Sequence, residues 1–314
     1  MQQGYPYRGR AGPDSGRTAG GPAAWWAGQV DLGRGAAEVR GLVHTVRDRL
    51  RGRDLLLAAA GLTVFAAVAL VPTVVVALGL ITLLAGADRV RALSSDTGAA
   101  LPDRLGAPHW LEVVTTAGTS LSWPQLLLSV VPLTFYGEGL RRALLRFGGG
   151  RDSFTGWRGR LATLPLVVAA PLLLWPLLQV GALLGRWVEG GNRVGAVVVG
   201  YYAVLAALAV PLAWGFRVVA AGRLRWRAVL PGALFTAACL SGFLQGFVAF
   251  LALPLDLGLP FGGLDAVGGV VAIGFWLVLL HVVVIVCWLA TWALDERLPG
   301  PPAPGPAPRM TDDG

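Results

Sequence analysis

LLLAAAGLTVFAAVALVPTVVVALGLITLLAGA, from Leu55 to Ala87, runs for 33 residues without a single charged side chain. As straight α-helix such a run measures about 50 Å, against about 30 Å for the hydrocarbon core of a bilayer. It therefore reads as a membrane helix that tilts, protrudes or bends, with Pro72 as the natural bending point. Outward from it, apolar runs of similar kind recur at 123–145, 161–184, 194–219, 228–252 and 264–294. With 55% hydrophobic and 14% charged residues and a mean hydropathy of +0.63, the chain sits on the membrane side of ordinary composition. The expected fold is all-α: a polytopic bundle of six transmembrane helices over 55–294 (55–87 being the first), with polar segments 1–54 and 295–314 at its two ends.

All 26 basic residues are Arg, and their distribution sets the orientation. With the N-terminus placed in the cytoplasm, 21 Arg fall on cytoplasmic segments and 5 on outer ones. That bias favours both termini inside. Residues 1–24 are rich in Gly, Pro, Arg and Ser, lack the apolar core of a signal peptide, and read as a disordered tail. Within 36–51, Val39, Leu42, Val43, Val46 and Leu50 recur at helical spacing opposite Arg40, His44, Arg47 and Arg51. This pattern, preceded by Trp25 and Trp26, suits an amphipathic helix in the membrane interface, the plainer alternative being a solvated linker helix. Residues 295–314 form a Pro-rich tail, and Asp295-Glu296 reads most simply as a solvated helix end. The net charge of +8 finds its counter-charge in anionic lipid headgroups rather than nucleic acid, because most Arg flanks apolar runs. Cys239 and Cys287 both lie within apolar stretches, so they indicate neither a disulfide framework nor a metal site.

Polar groups inside the apolar runs are the candidates for function. WPQLLLSVVPLTFYGEGLRRALLRF, Trp123 to Phe147, closes on Glu138, Arg141 and Arg142. An ionisable side chain at membrane depth is a functional hypothesis by default. The plainer reading is local, since spacings of three and four place both arginines beside Glu138 on one helix. The third run carries Pro165, Pro171 and Pro176 with Gln179, the fifth carries Gln245 and a Gly242/Gly246 pair, and the sixth carries His281. Proline-broken helices free carbonyls that must be satisfied internally, which is how transporters build sites at mid-depth. The glycine pair offers a small-residue face for helix association or a homo-oligomer, and a lone His in such a run is more often a structural hydrogen-bonding residue than a proton relay.

Three segments carry a family resemblance: AAAGLTVFAAVALVPTVVVALGLITLLAG (Ala58–Gly86), RWRAVLPGALFTAACLSGFLQGFVAF (Arg225–Phe250) and GLDAVGGVVAIGFWLVLLH (Gly263–His281). Over residues 50–295 the chain resembles the YihY/virulence factor BrkB family of bacterial inner-membrane proteins, formerly labelled ribonuclease BN-like. It looks like a divergent actinobacterial-type member. Leu62-Thr63-Val64-Phe65 supplies one aromatic where many relatives have two. Cys287-Trp288-Leu289 stands where many close on Gly-Ala-Glu, so no role of that terminal acid carries over. The resemblance implies a six-helix, multi-pass protein of the cytoplasmic membrane with ties to envelope integrity and transport.

Against the ribonuclease label, His44, His109 and His281 fall on segments expected inside, outside and within the membrane, and no HExxH, GxSxG, Walker or EF-hand pattern occurs. No catalytic, metal or cofactor residues are assigned, and enzymatic activity is not expected. Transport or lipid translocation is the first expectation, with Glu138, Arg141, Arg142, Gln179, Gln245 and His281 as candidate positions and the substrate, small molecule or lipid, unspecified. The alternative is a non-transporting envelope scaffold or lipid-organising protein.

Overall fold

The computed structural model describes residues 32–101, 106–147, 157–220, 224–251 and 253–299, with side chains from residue 37. The expected tail at 1–24, residues 300–314 of the expected tail at 295–314, and Trp25 and Trp26 lie outside these. Among the described residues there are nine α-helices and no strand. They are α1 (Leu32–Leu50), α2 (Leu55–Ala85), α3 (Ala87–Gly98), α4 (Ala107–Thr119), α5 (Trp123–Phe147), α6 (Trp157–Glu189), α7 (Arg193–Trp214), α8 (Trp226–Leu251) and α9 (Asp265–Arg297). Two compact units divide the chain at Gly41, the first ending within α1 and the second running from Leu42.

Local chemistry explains where the long helices begin and end. α2 opens on Asp54, whose carboxylate accepts from the Leu57 amide at 3.0 Å and satisfies one of the unpaired donors of the first turn. It closes at Gly86, whose φ of 85° only glycine adopts without strain, and the same residue starts α3. At the start of α7 the Asn192 side chain accepts from the Gly195 amide at 3.1 Å. Beyond Pro211, α7 loosens into a π-helical turn, Gly215–Val219.

α2, α6, α8, α9 and α7 extended to Val219 are long and apolar enough to cross a membrane. α5 has the length, 25 residues, but Gln125, Ser129, Thr134, Tyr136 and Glu138 dilute its apolar run. Large apolar side chains face outward all along these helices, with Leu84 83%, Leu128 72%, Val168 71% and Val270 70% exposed. Water-soluble monomers rarely tolerate an apolar surface of this extent, whereas lipid tails solvate it without cost.

The segment 88–122 contains the helical hairpin α3–α4, which folds back on the bundle. α3 packs on α6, and α4 on α2. Val90 is fully buried with Leu78, Ile81 and Leu178. The largest core lies at the other end, where Leu144, Phe147, Phe216, Val229, Ile285 and Trp288 meet. Val46 joins that core while Val43 is 60% exposed, so only part of the amphipathic stripe of α1 is free to face a lipid surface.

Asp295 and Glu296 are not a simple solvated end. Asp295 is buried and accepts from the Arg225 guanidinium at 2.9 Å, and Arg225 also caps the carbonyls of Asp295, Leu298 and Pro299. Glu296 accepts from the Trp292 indole at 2.9 Å and from Arg49.

The Gly242/Gly246 pair does not mediate close packing within the chain. Both residues are exposed, and a Cβ at either would meet its nearest neighbour only at 3.9 Å. Gly242→Ala is accordingly expected to be neutral or to stabilise the detergent-solubilised protein by up to about 1 kcal/mol, read from its melting curve. A large loss would place a tight contact there.

Candidate functional site

The charged cluster is built where α5 and α6 cross, and the crossing depends on two missing side chains. A Cβ on Gly137 would stand 1.5 Å from Thr163 Oγ1 and 2.8 Å from the Gly159 carbonyl oxygen. One on Gly159 would stand 2.9 Å from the Cα of Glu138. The backbones therefore touch at this point, and the residues that follow, Glu138 and Arg160, are carried into contact.

Glu138 is 94% buried, its exposure being 6%. Arg160 Nε donates to Glu138 Oε2 at 2.6 Å, and Arg142 donates to Oε1 from the next turn of α5. Burying a lone carboxylate costs several kcal/mol, and charge-assisted hydrogen bonds to both oxygens are what offset it. Arg160 also lies 4.4 Å from the ring centre of Phe135 and 5.8 Å from that of Trp157, so its cation is held between aromatic faces. Arg141, buried beside them, donates to the Val219 carbonyl at 3.1 Å, at the end of the π-helical turn of α7. One carboxylate thus accepts from two guanidinium groups, one from each helix, and Arg142 remains half exposed. Such a site holds one acid without strain and presents surplus positive charge to an anionic group.

His281 occupies a separate junction of α2, α5 and α9. Its Nδ1 lies 2.7 Å from the Leu277 carbonyl, an acceptor, which assigns the ring proton to Nδ1. Thr63 Oγ1 stands 3.0 Å from the same nitrogen and itself donates to Ala59 O. Nε2 is left to accept from the Tyr136 hydroxyl at 3.4 Å. A histidine 1% exposed and engaged on both nitrogens fastens three helices together.

The remaining candidates stand apart. Gln245 on α8 faces α7, its Nε2 being 3.3 Å from where a Cβ of Gly200 would lie. Gln179 is half buried on α6 beside Leu178, whose carbonyl accepts from Thr97 of α3 at 3.2 Å. Of the six sequence candidates, Glu138, Arg141 and Arg142 lie together at the α5–α6 crossing, while Gln179, Gln245 and His281 lie elsewhere in the fold. Sequence reading missed Arg160, because Gly137 and Gly159, whose contact brings it to Glu138, form no motif on either helix alone. Trp214 also escaped it; its indole donates at 2.7 Å to Ala162 O, one residue past the Leu161 carbonyl that Pro165 deprives of a donor.

Among the described residues no three or more His, Cys, Asp or Glu side chains gather as metal ligands would. A helical bundle with several membrane-length helices, a lipid-suited exterior and a charged cluster at one helix crossing is a multi-pass membrane protein. The chain belongs to the Virulence factor BrkB family, whose family model matches residues 46–311. No curated protein and no solved structure gives a match.

Proposed function

We propose that this protein moves lipids across the cytoplasmic membrane, with α5 as a sixth spanning helix and both termini in the cytoplasm. The positive-inside count supports that orientation, and it puts Glu138, Arg141, Arg142 and Arg160 near the cytoplasmic mouth. The observation that carries the reading is the cluster itself: a buried carboxylate with an excess of guanidinium groups at the seam of α5 and α6. A lipid needs a polar track for its headgroup only, its tails staying in the bilayer, so a seam can serve where a solute would need a central path. The separation of Gln179, Gln245 and His281, which lie on α6, α8 and α9, weighs against such a central path.

The same separation favours a second reading, a non-transporting scaffold that organises anionic lipids around its basic face. Reconstitution into liposomes distinguishes the two. Fluorescent-lipid scrambling by the native chain is expected to exceed that of protein-free vesicles and to fall in Glu138→Gln. Background rates for the native chain, across neutral and anionic lipids, would leave the scaffold as the better account.

A further inference from the structure

Glu138 draws Arg142 and Arg160 onto its two oxygens, so two guanidinium groups from different helices are held at one point of the α5–α6 seam. Neither is used up there. A guanidinium has more donors than one carboxylate oxygen engages, and Arg142 is 50% and Arg160 31% exposed. One helical turn beyond Arg142, Arg146 is exposed, as is Arg158 at the start of α6. Neither of these makes a hydrogen bond or an ion pair among the described residues. Against the four arginines stands Glu138 alone, a surplus of three positive charges. The connecting residues 148–156 add Arg151 and Asp152, which cancel in charge. Arg141 lies outside this count, being buried and turned to the Val219 carbonyl.

Beside these charges the surface turns apolar. Leu128 and Val131 continue the face of Arg142 along α5 at helical spacing, Leu164 and Val168 continue that of Arg160 along α6, and all four are exposed. Trp157 is 65% exposed with its ring 5.8 Å from Arg160, and tryptophan favours the boundary between hydrocarbon and headgroups. The planar fork of a guanidinium matches a phosphate bidentately. One phosphodiester, a monoanion, leaves most of the surplus unneutralised, and two neutralise the greater part of it. We propose that the α5–α6 seam binds a diphosphatidyl lipid, cardiolipin in its chemistry, with one phosphate on Arg142 and Arg160, the other towards Arg146 and Arg158, and its acyl chains along the exposed apolar faces. Basic sites between membrane helices on the cytoplasmic side take headgroups of this kind. The proposal rests on the orientation proposed above, which sets this end of α5 and α6 in the cytoplasmic leaflet, but not on movement of the lipid.

The test reads binding to the full chain. Native mass spectrometry of the detergent-solubilised protein, titrated with cardiolipin, phosphatidylglycerol or phosphatidylcholine at equal phosphate, measures what is retained. Cardiolipin is expected to bind about tenfold or more tightly than phosphatidylglycerol, and phosphatidylcholine least. Arg146→Ala, which breaks no contact within the described residues, should weaken cardiolipin about fivefold, and Arg142→Ala/Arg146→Ala by more than tenfold. Arg91→Ala/Arg193→Ala removes the same charge from the opposite ends of the helices and should leave the affinity unchanged. Melting curves without lipid check that each variant folds, and the rise in melting temperature on adding cardiolipin should shrink only where Arg146 is replaced. Equal affinity for cardiolipin and phosphatidylglycerol, equal losses in the two double variants, or displacement of cardiolipin by an equal concentration of inorganic pyrophosphate would each overturn the proposal. Cardiolipin binding in a protein that scrambles nothing would leave this site standing and remove lipid movement, whereas scrambling without cardiolipin preference would do the reverse.

Discussion

Gly137→Ala is expected to cost about 3 kcal/mol of stability, the upper end of ordinary overpacking, and to lower yield from the membrane. The added methyl would fall 1.5 Å from Thr163 Oγ1, 2.7 Å from Thr163 Cβ and 2.8 Å from the Gly159 carbonyl. The hydroxyl can rotate away, but the carbonyl is backbone and cannot. Relief then requires α5 and α6 to separate, and separation breaks the Glu138–Arg160 contact in the same step. Gly61→Ala on α2 is the matching control, since nothing lies within 4 Å of its Cβ position. In a helix interior with free space, that change should be neutral or stabilising by up to about 1 kcal/mol. Melting curves of the two variants in the same detergent make the comparison. Superimposable curves would mean that the helix crossing is not held by backbone contact at Gly137.

The apolar runs announce the helices because burial in lipid depends on composition over twenty or more residues, which a sequence displays directly. The Leu55–Ala87 run forms α2 as far as Ala85, and the triple-proline run lies within α6. Contacts within one helix were legible for the same reason, Glu138 to Arg142 being a spacing of four. What escaped were pairings fixed by how helices meet. Arg160 reaches Glu138 from 22 residues away, Arg225 reaches Asp295 from 70 away, and Arg49 reaches Glu296 from 247 away. None has a local pattern, so Asp295 and Glu296 looked like a solvated end. The Gly242/Gly246 motif misled in the opposite sense: its spacing is right for close approach, but the helix face it occupies is turned outward, and Gly137 with Gly159, which form no motif on either helix alone, make the contact.

Glu138→Ala should destabilise the protein by about 2–3 kcal/mol, somewhat below the 3–5 typical of a broken buried pair, because the orphaned cations are not sealed in. Arg142 is 50% exposed and can turn to water or headgroups. Arg160, 31% exposed and fixed against Phe135, has less freedom and bears most of the penalty. Arg142→Ala alone should therefore cost about 0.5 kcal/mol, the value of an exposed pair one turn apart. Removing both members of the inter-helix pair, Glu138→Ala with Arg160→Ala, should recover stability relative to the sum of the single changes, with a coupling of about 1 kcal/mol or more. Strict additivity in the melting data would argue that the pair contributes nothing as a pair. The double variant also separates structure from function at this site. If the cluster only fastens α5 to α6, lipid movement returns with the recovered stability. If Glu138 and its surplus arginines handle a headgroup, the double variant folds but scrambles no faster than Glu138→Gln.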